Sequence, residues 1–123
     1  MNHNAEYYQE QYIRYGGELN DCTNAEDVKK HNQAMRELSK LYSQAKNEND
    51  KSFYFDLLKH PNPRVRRIAA AHCLGMNMYR FRAIRALKAI IRKSENKHDV
   101  FTAKSTIEVW KKNGHKLSFS ETE

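Results

Sequence analysis

The sequence predicts an all-α fold: an array of about six helices joined by short loops. Three observations lead there. Strong helix formers (Ala, Leu, Lys, Arg, Glu, Gln) are abundant. Four Gly and two Pro in 123 residues are too few for the many turns of an all-β chain. Apolar residues recur at intervals of three and four, and no stretch alternates apolar with polar. The length suits one domain, 1–123. Hydrophobic content of 39% against 30% charged predicts a thin core under a large wet surface.

Each element has a local reason. Over 5–15, Tyr7, Tyr8, Tyr12, Ile13 and Tyr15 form one apolar stripe, which Gly16-Gly17 should stop. Thr23-Asn24-Ala25-Glu26 reads as a capping box with Thr23 as cap, opening a long helix to about Asn47. Its apolar positions are Val28, Met35, Leu38, Leu41, Tyr42 and Ala45. Phe53, Tyr54, Leu57 and Leu58 predict a short helix over 52–59, broken at His60-Pro61-Asn62-Pro63. His60 is expected to help build that turn.

Asn62 is the expected N-cap of the next helix, with Pro63 at its first position and Gly75 just past its end. Val65, Ile68, Ala69, His72 and Met76 line one side, which makes His72 a core histidine and Cys73 a buried thiol. Over 79–93, Ala83, Ile84, Leu87, Ile90 and Ile91 span about 120° of a helical wheel, with Arg82, Arg85, Lys88 and Arg92 opposite. A last helix over 99–113, with Asp99 as a possible cap, carries Val100, Ala103, Ile107 and Trp110 and ends at Gly114. Residues 115–123 are expected to be a flexible tail. Residues 1–50 would form the N-terminal helices, as a cap or a first pair, and 52–114 the repeat helices.

Charge is distributed unevenly along this array. Residues 59–97 hold eleven Lys or Arg and one acid, Glu95, a local net charge of +10. Residues 1–58 are net −3 and residues 98–123 net 0. Such a field steers association. The main candidate site is therefore Arg82, Arg85, Lys88 and Arg92, with Arg64 and Arg67 on the helix before. Tyr79 and Phe81 are aromatic anchors beside the arginines. Three readings fit: a surface for an acidic protein, a groove for nucleic acid, or a solvated helix face.

Catalysis is not expected. The sequence has no metal-ligand spacing, nucleophile elbow or Gly-rich phosphate loop, and no cofactor is implied. The two cysteines show no CxxC pattern. The N-terminus has no apolar signal region and no run is long enough to span a membrane, so the expected location is the cytoplasm. The oligomeric state is not legible.

A weak repeat of about 34 residues aligns Ala69 with Ala103, Cys73 with Ile107 and Met76 with Trp110. The segment Leu57-Leu58-Lys59-His60-Pro61-Asn62-Pro63-Arg64-Val65-Arg66, followed by Ala69-Ala70-Ala71-His72, resembles a HEAT-like repeat. Ala103, Ile107 and Trp110 are similar to the last helix of a small bacterial HEAT-like family of unknown function. The resemblance covers about 53–114 and implies a short α-solenoid. Proteins similar to that family resemble immunity proteins of polymorphic toxin systems, including contact-dependent growth inhibition. The resemblance thus implies a cytoplasmic, non-enzymatic protein that binds and neutralises a cognate toxin domain, often a nuclease. Against a strongly basic toxin, the contacts would move to the acidic front half: Glu6, Glu10, Glu18, Asp21, Glu26 and Asp27. The alternative is a HEAT-like nucleic-acid-binding module with a basic concave face.

Overall fold

The computed structural model describes residues 4–114, so the tail expected over 115–123 lies outside the described residues. Six helices follow one another: α1 (Ala5–Gly16), α2 (Ala25–Ala45), α3 (Phe53–Leu57), α4 (Pro63–Gly75), α5 (Arg80–Lys93) and α6 (Lys97–Lys112). No strand occurs among the described residues. Helix α1 packs on α3, and Phe55 of α3 meets Tyr79 and Arg82 at the start of α5. Helix α4 packs on α6 and, through His72 against Tyr42, on α2. The result is a small helical array in which α4 packs against α1, α3, α5 and α6. None of the described helices is long and apolar enough to cross a membrane.

Positions paired by the 34-residue spacing have similar burial. Ala69 and Ala103 are fully buried, and Cys73 and Ile107 are buried. Met76 and Trp110 pack at the margin of the same core. The N-caps obey it too: Asn62 Oδ1 accepts from the Arg64 amide at 2.9 Å, and Asn96 Oδ1 accepts from the Asp99 amide at 2.9 Å. Asp99 is therefore not the cap expected of it. The helix begins two residues earlier, and the Asp99 carboxylate is buried against Arg64.

Other helix ends differ from expectation for identifiable reasons. Asn24, rather than Thr23, caps α2, accepting from the Asp27 amide at 2.8 Å. Thr23 instead donates to the Asp27 carboxylate. Gly75 is the last residue of α4. The left-handed residue after it is Asn77 (φ 58°), and Met78 N–H→Cys73 O with Asn77 N–H→Leu74 O completes a Schellman motif. Helix α1 does end at Gly16-Gly17 as expected, although neither glycine adopts a positive φ; Gly16 is its last residue. The role of Gly16 is close approach: a Cβ there would lie 3.0 Å from Val65 Cγ2 and 3.2 Å from Val65 Cα. As expected, Gly114 (φ 67°) follows α6, and His60 Nδ1 accepts from the Asn62 amide at 3.0 Å.

The core runs through the whole array, from Tyr8 and Leu38 to Leu87, Ile90 and Ala103. Side chains such as Leu38, Leu57 and Leu87, each at most 1% exposed, contribute about 1.5–3 kcal/mol apiece by leaving water. Val28 and Met35, read as core from their spacing, are instead exposed on α2. The centre is polar. The Tyr12 hydroxyl lies 2.5 Å from the Tyr54 hydroxyl and 2.7 Å from His72 Nδ1, joining α1, α3 and α4. His72 is the core histidine expected, and burial alone pushes its imidazole down to about 3. Burial also pushes the Cys73 thiol up to about 12.

The His72 shift fixes the sign of a pH dependence. An unfolded histidine titrates near about 6.5, whereas the folded one stays neutral to about 3. In that window the unfolded chain binds the extra proton, so stability is lost as pH falls below 6.5. The slope approaches about 1.4 kcal/mol per pH unit. We expect urea midpoints measured between pH 7.5 and 5 to fall accordingly. His72→Gln should lower stability at pH 7.5 yet show a flatter profile; an unchanged slope would mean that His72 does not titrate in that range.

Candidate interaction face on the fifth helix

The basic residues singled out in the sequence divide into two groups. Arg64 belongs to the scaffold. Its Nε donates to Asp99 at 3.0 Å, its Nη1 to the Leu19 carbonyl at 2.8 Å, and its Nη2 to Asp21. Asn96 also donates to Asp21, at 3.1 Å, so one guanidinium ties the α1–α2 loop to the starts of α4 and α6. The Asn96 hydrogen bond, and then the Arg64 charge, hold the Asp21 carboxyl below its ordinary range. Arg67 lies beside this cluster with no protein acceptor for its buried Nε. Burial, then the charges of Arg67, His98 and Arg64, keep His31 below its ordinary range. Arg64 is thus engaged with acids and a carbonyl of the scaffold, and Arg67 is partly buried beside it.

The α5 set is different. Arg82, Arg85, Lys88 and Arg92 are all exposed, on the side away from Ala83, Leu87 and Ile90. Among the described residues, the ion pairs are Lys40–Glu37, Arg64–Asp21 and Arg64–Asp99, so no α5 cation meets a carboxylate. Helix α5 has no acid in its first turn and no side-chain N-cap. Arg80 and Arg82 therefore sit at the positive end of the helix dipole, an unfavourable placement worth about 0.3–1 kcal/mol each.

Two grooves flank this face. On one side, Phe55, Leu58, Lys59, Arg66, Arg82, Arg85, Ala86 and Ala89 line a cleft of about 270 Å³. Lys59 Nζ lies 3.9 Å and Arg82 Cζ 4.6 Å from the Phe55 ring centroid. On the other side, Arg80, Phe81, Ile84, Lys88, Trp110 and Lys111 line a groove of about 420 Å³. Phe81 is 84% exposed, as an anchor would be. Tyr79 is half-buried, at φ 50° before α5, with its ring 6.1 Å from Phe55. It packs into the fold, in contrast to Phe81.

Phe55, Lys59 and Arg66 were not singled out by the sequence reading. The signal was present in Phe55 and Lys59, an aromatic and a cation four residues apart. Phe55 falls outside the apolar set formed by Phe53, Tyr54, Leu57 and Leu58, all buried.

The acidic residues differ in their surroundings. Glu6 and Glu10 are exposed on α1, and Glu26 is exposed in the first turn of α2. Glu18 is half-buried, and Asp21 and Asp27 are engaged in loop and cap hydrogen bonds. No group of three or more His, Cys, Asp or Glu positioned to hold a metal occurs among the described residues. No family model, curated protein or solved structure matches this chain.

The two classes of arginine separate in a stability measurement. Arg64→Ala strands the buried Asp99 carboxylate and should cost about 2–4 kcal/mol. Arg85→Ala removes an exposed side chain and should change stability by no more than about 0.5 kcal/mol. Urea unfolding of both variants checks this. Equal effects would remove the distinction between clamp and free face.

Proposed function

We propose that this protein is a non-enzymatic inhibitor that binds another protein, with the exposed face of α5 as its contact surface. The observation that carries the reading is the unneutralised row Arg82, Arg85, Lys88 and Arg92 beside the exposed Phe81. A rigid helix presenting cations around an aromatic side chain suits an acidic protein surface: the charges set approach and orientation, and the aromatic supplies buried area. The HEAT-like resemblance of residues 53–114 supports the more specific form, a cytoplasmic immunity protein that neutralises a toxin domain. On this reading the toxin meets α5 through an acidic patch, and Arg64 acts only by holding the scaffold.

Capture of the tagged protein from the cells that make it, with and without nuclease, tests the proposal when coupled to a growth assay. We expect one stoichiometric protein partner that survives nuclease and arrests growth when expressed alone. Co-expression of this chain should relieve the arrest, and Arg82→Glu with Arg85→Glu should weaken capture at least about tenfold. Recovery of nucleic acid alone, lost on nuclease treatment and falling steeply with salt, would replace this reading with a nucleic-acid-binding one.

A further inference from the structure

The two grooves beside α5 are not equivalent, and the smaller one has the features of a specificity pocket. Its floor is apolar: Leu58 and Ala86 are buried, while Ala89 and Phe55 are half-buried. Its rim carries Lys59, Arg66, Arg82 and Arg85, and no acidic residue among the described ones lines it. The rim is pre-organised. Lys59 and Arg82 both lie against the Phe55 ring. Arg66 is held at the α3–α4 turn by donating to His60 O at 2.7 Å and Pro61 O at 3.0 Å. Both bonds use Nη1, which leaves uncommitted the Nε–Nη2 edge, able to grip a carboxylate in two parallel bonds.

We propose that this cleft receives one apolar side chain of an acidic segment of the protein partner, with flanking carboxylates on Lys59, Arg66, Arg82 and Arg85. The inference rests on the protein-binding reading of the α5 face and names the partner's chemistry. Three features select an acidic peptide. A volume of about 270 Å³ falls below the roughly 300–1,000 Å³ usual for small-molecule pockets and suits a single side chain. Four cations with no acid demand anionic surroundings for whatever fills the floor. A stacking base would need a free aromatic face, and two cations already lie over Phe55. Because Arg66 is already held by two hydrogen bonds, little of its side-chain entropy is lost on capture.

The test uses the full chain, isotopically labelled, titrated with two acidic peptides identical except for a central Leu or Ala. A thymidine oligonucleotide of equal charge is the third probe. We expect the Leu peptide to bind about tenfold or more tightly than the Ala peptide, with shifts centred on Leu58, Ala86 and Ala89. Ala89→Leu, which fills the floor without changing charge, should abolish the difference between peptides. Arg82→Gln should weaken both, and circular dichroism checks that each variant is folded. Equal binding of the two peptides, no binding by either, or shifts centred on Phe81 and Trp110 would overturn the cleft assignment. Those outcomes leave the protein-binding reading to its own test. Binding of the oligonucleotide alone, at the α5 face, would overturn both.

Discussion

The fold depends on the placement of one hydroxyl. Tyr12 is fully buried where α1, α3 and α4 meet, and its oxygen is shared by Tyr54 and His72. An unpaired hydroxyl or imidazole there would cost about 1–3 kcal/mol, so the three helices must dock in one register. Gly16 enforces the same register a turn later by letting α1 approach the backbone at Val65. Further out, Tyr8 stacks on Phe53 at 4.6 Å and donates to Glu48 at 2.6 Å, binding the α2–α3 loop to α1. A short helix of five residues, too short to be stable alone, is thereby fixed. Phe55 and Lys59, on and just after it, inherit that rigidity.

Charge is handled in two ways within the same basic stretch. At the start of α4, Arg64 and Arg66 also face the positive end of a helix dipole, but acids and carbonyls answer them: Asp99, Asp21 and Leu19 O for Arg64, His60 O and Pro61 O for Arg66. At the start of α5, Arg80 and Arg82 face the same kind of dipole end, and no carboxylate answers them among the described residues. Places where a chain breaks its own local rules without internal compensation are where function is expected. An anionic partner would supply the missing counter-charge.

The architecture was legible because α-helical periodicity depends on near neighbours. The Pro61-Asn62-Pro63 break, the Asn62 cap and the apolar faces of α4 and α5 all follow from local rules. What escaped depends on tertiary competition. Asp99 has the right chemistry for a cap, but Arg64, 35 positions earlier, claims its carboxylate, and Asn96 takes the role. The 34-residue repeat could have signalled this, since Asn96 stands where Asn62 does. Thr23 lost to Asn24 on local grounds instead: the Thr23 hydroxyl donates to the Asp27 carboxylate, while Asn24 accepts from the Asp27 amide. That Arg64 is ion-paired was not legible either, because linear proximity in charge says nothing of which cations find acids from distant segments.

The cleft illustrates the same limit and its remedy. Phe55 and Lys59 come from one local segment, while Arg66 and Arg82 come from the two helices that follow. No single helical wheel brings them together. The aromatic ring is the organising element, because Lys59 Nζ and Arg82 Cζ both lie over it, at 3.9 Å and 4.6 Å from its centroid. Covering Phe55 with Lys59 and Arg82 satisfies the ring electrostatically but concentrates like charge beside Arg66 and Arg85. The fold thus gathers four like charges around an apolar floor. An acidic segment carrying one apolar residue would relieve the repulsion and fill the floor in a single step.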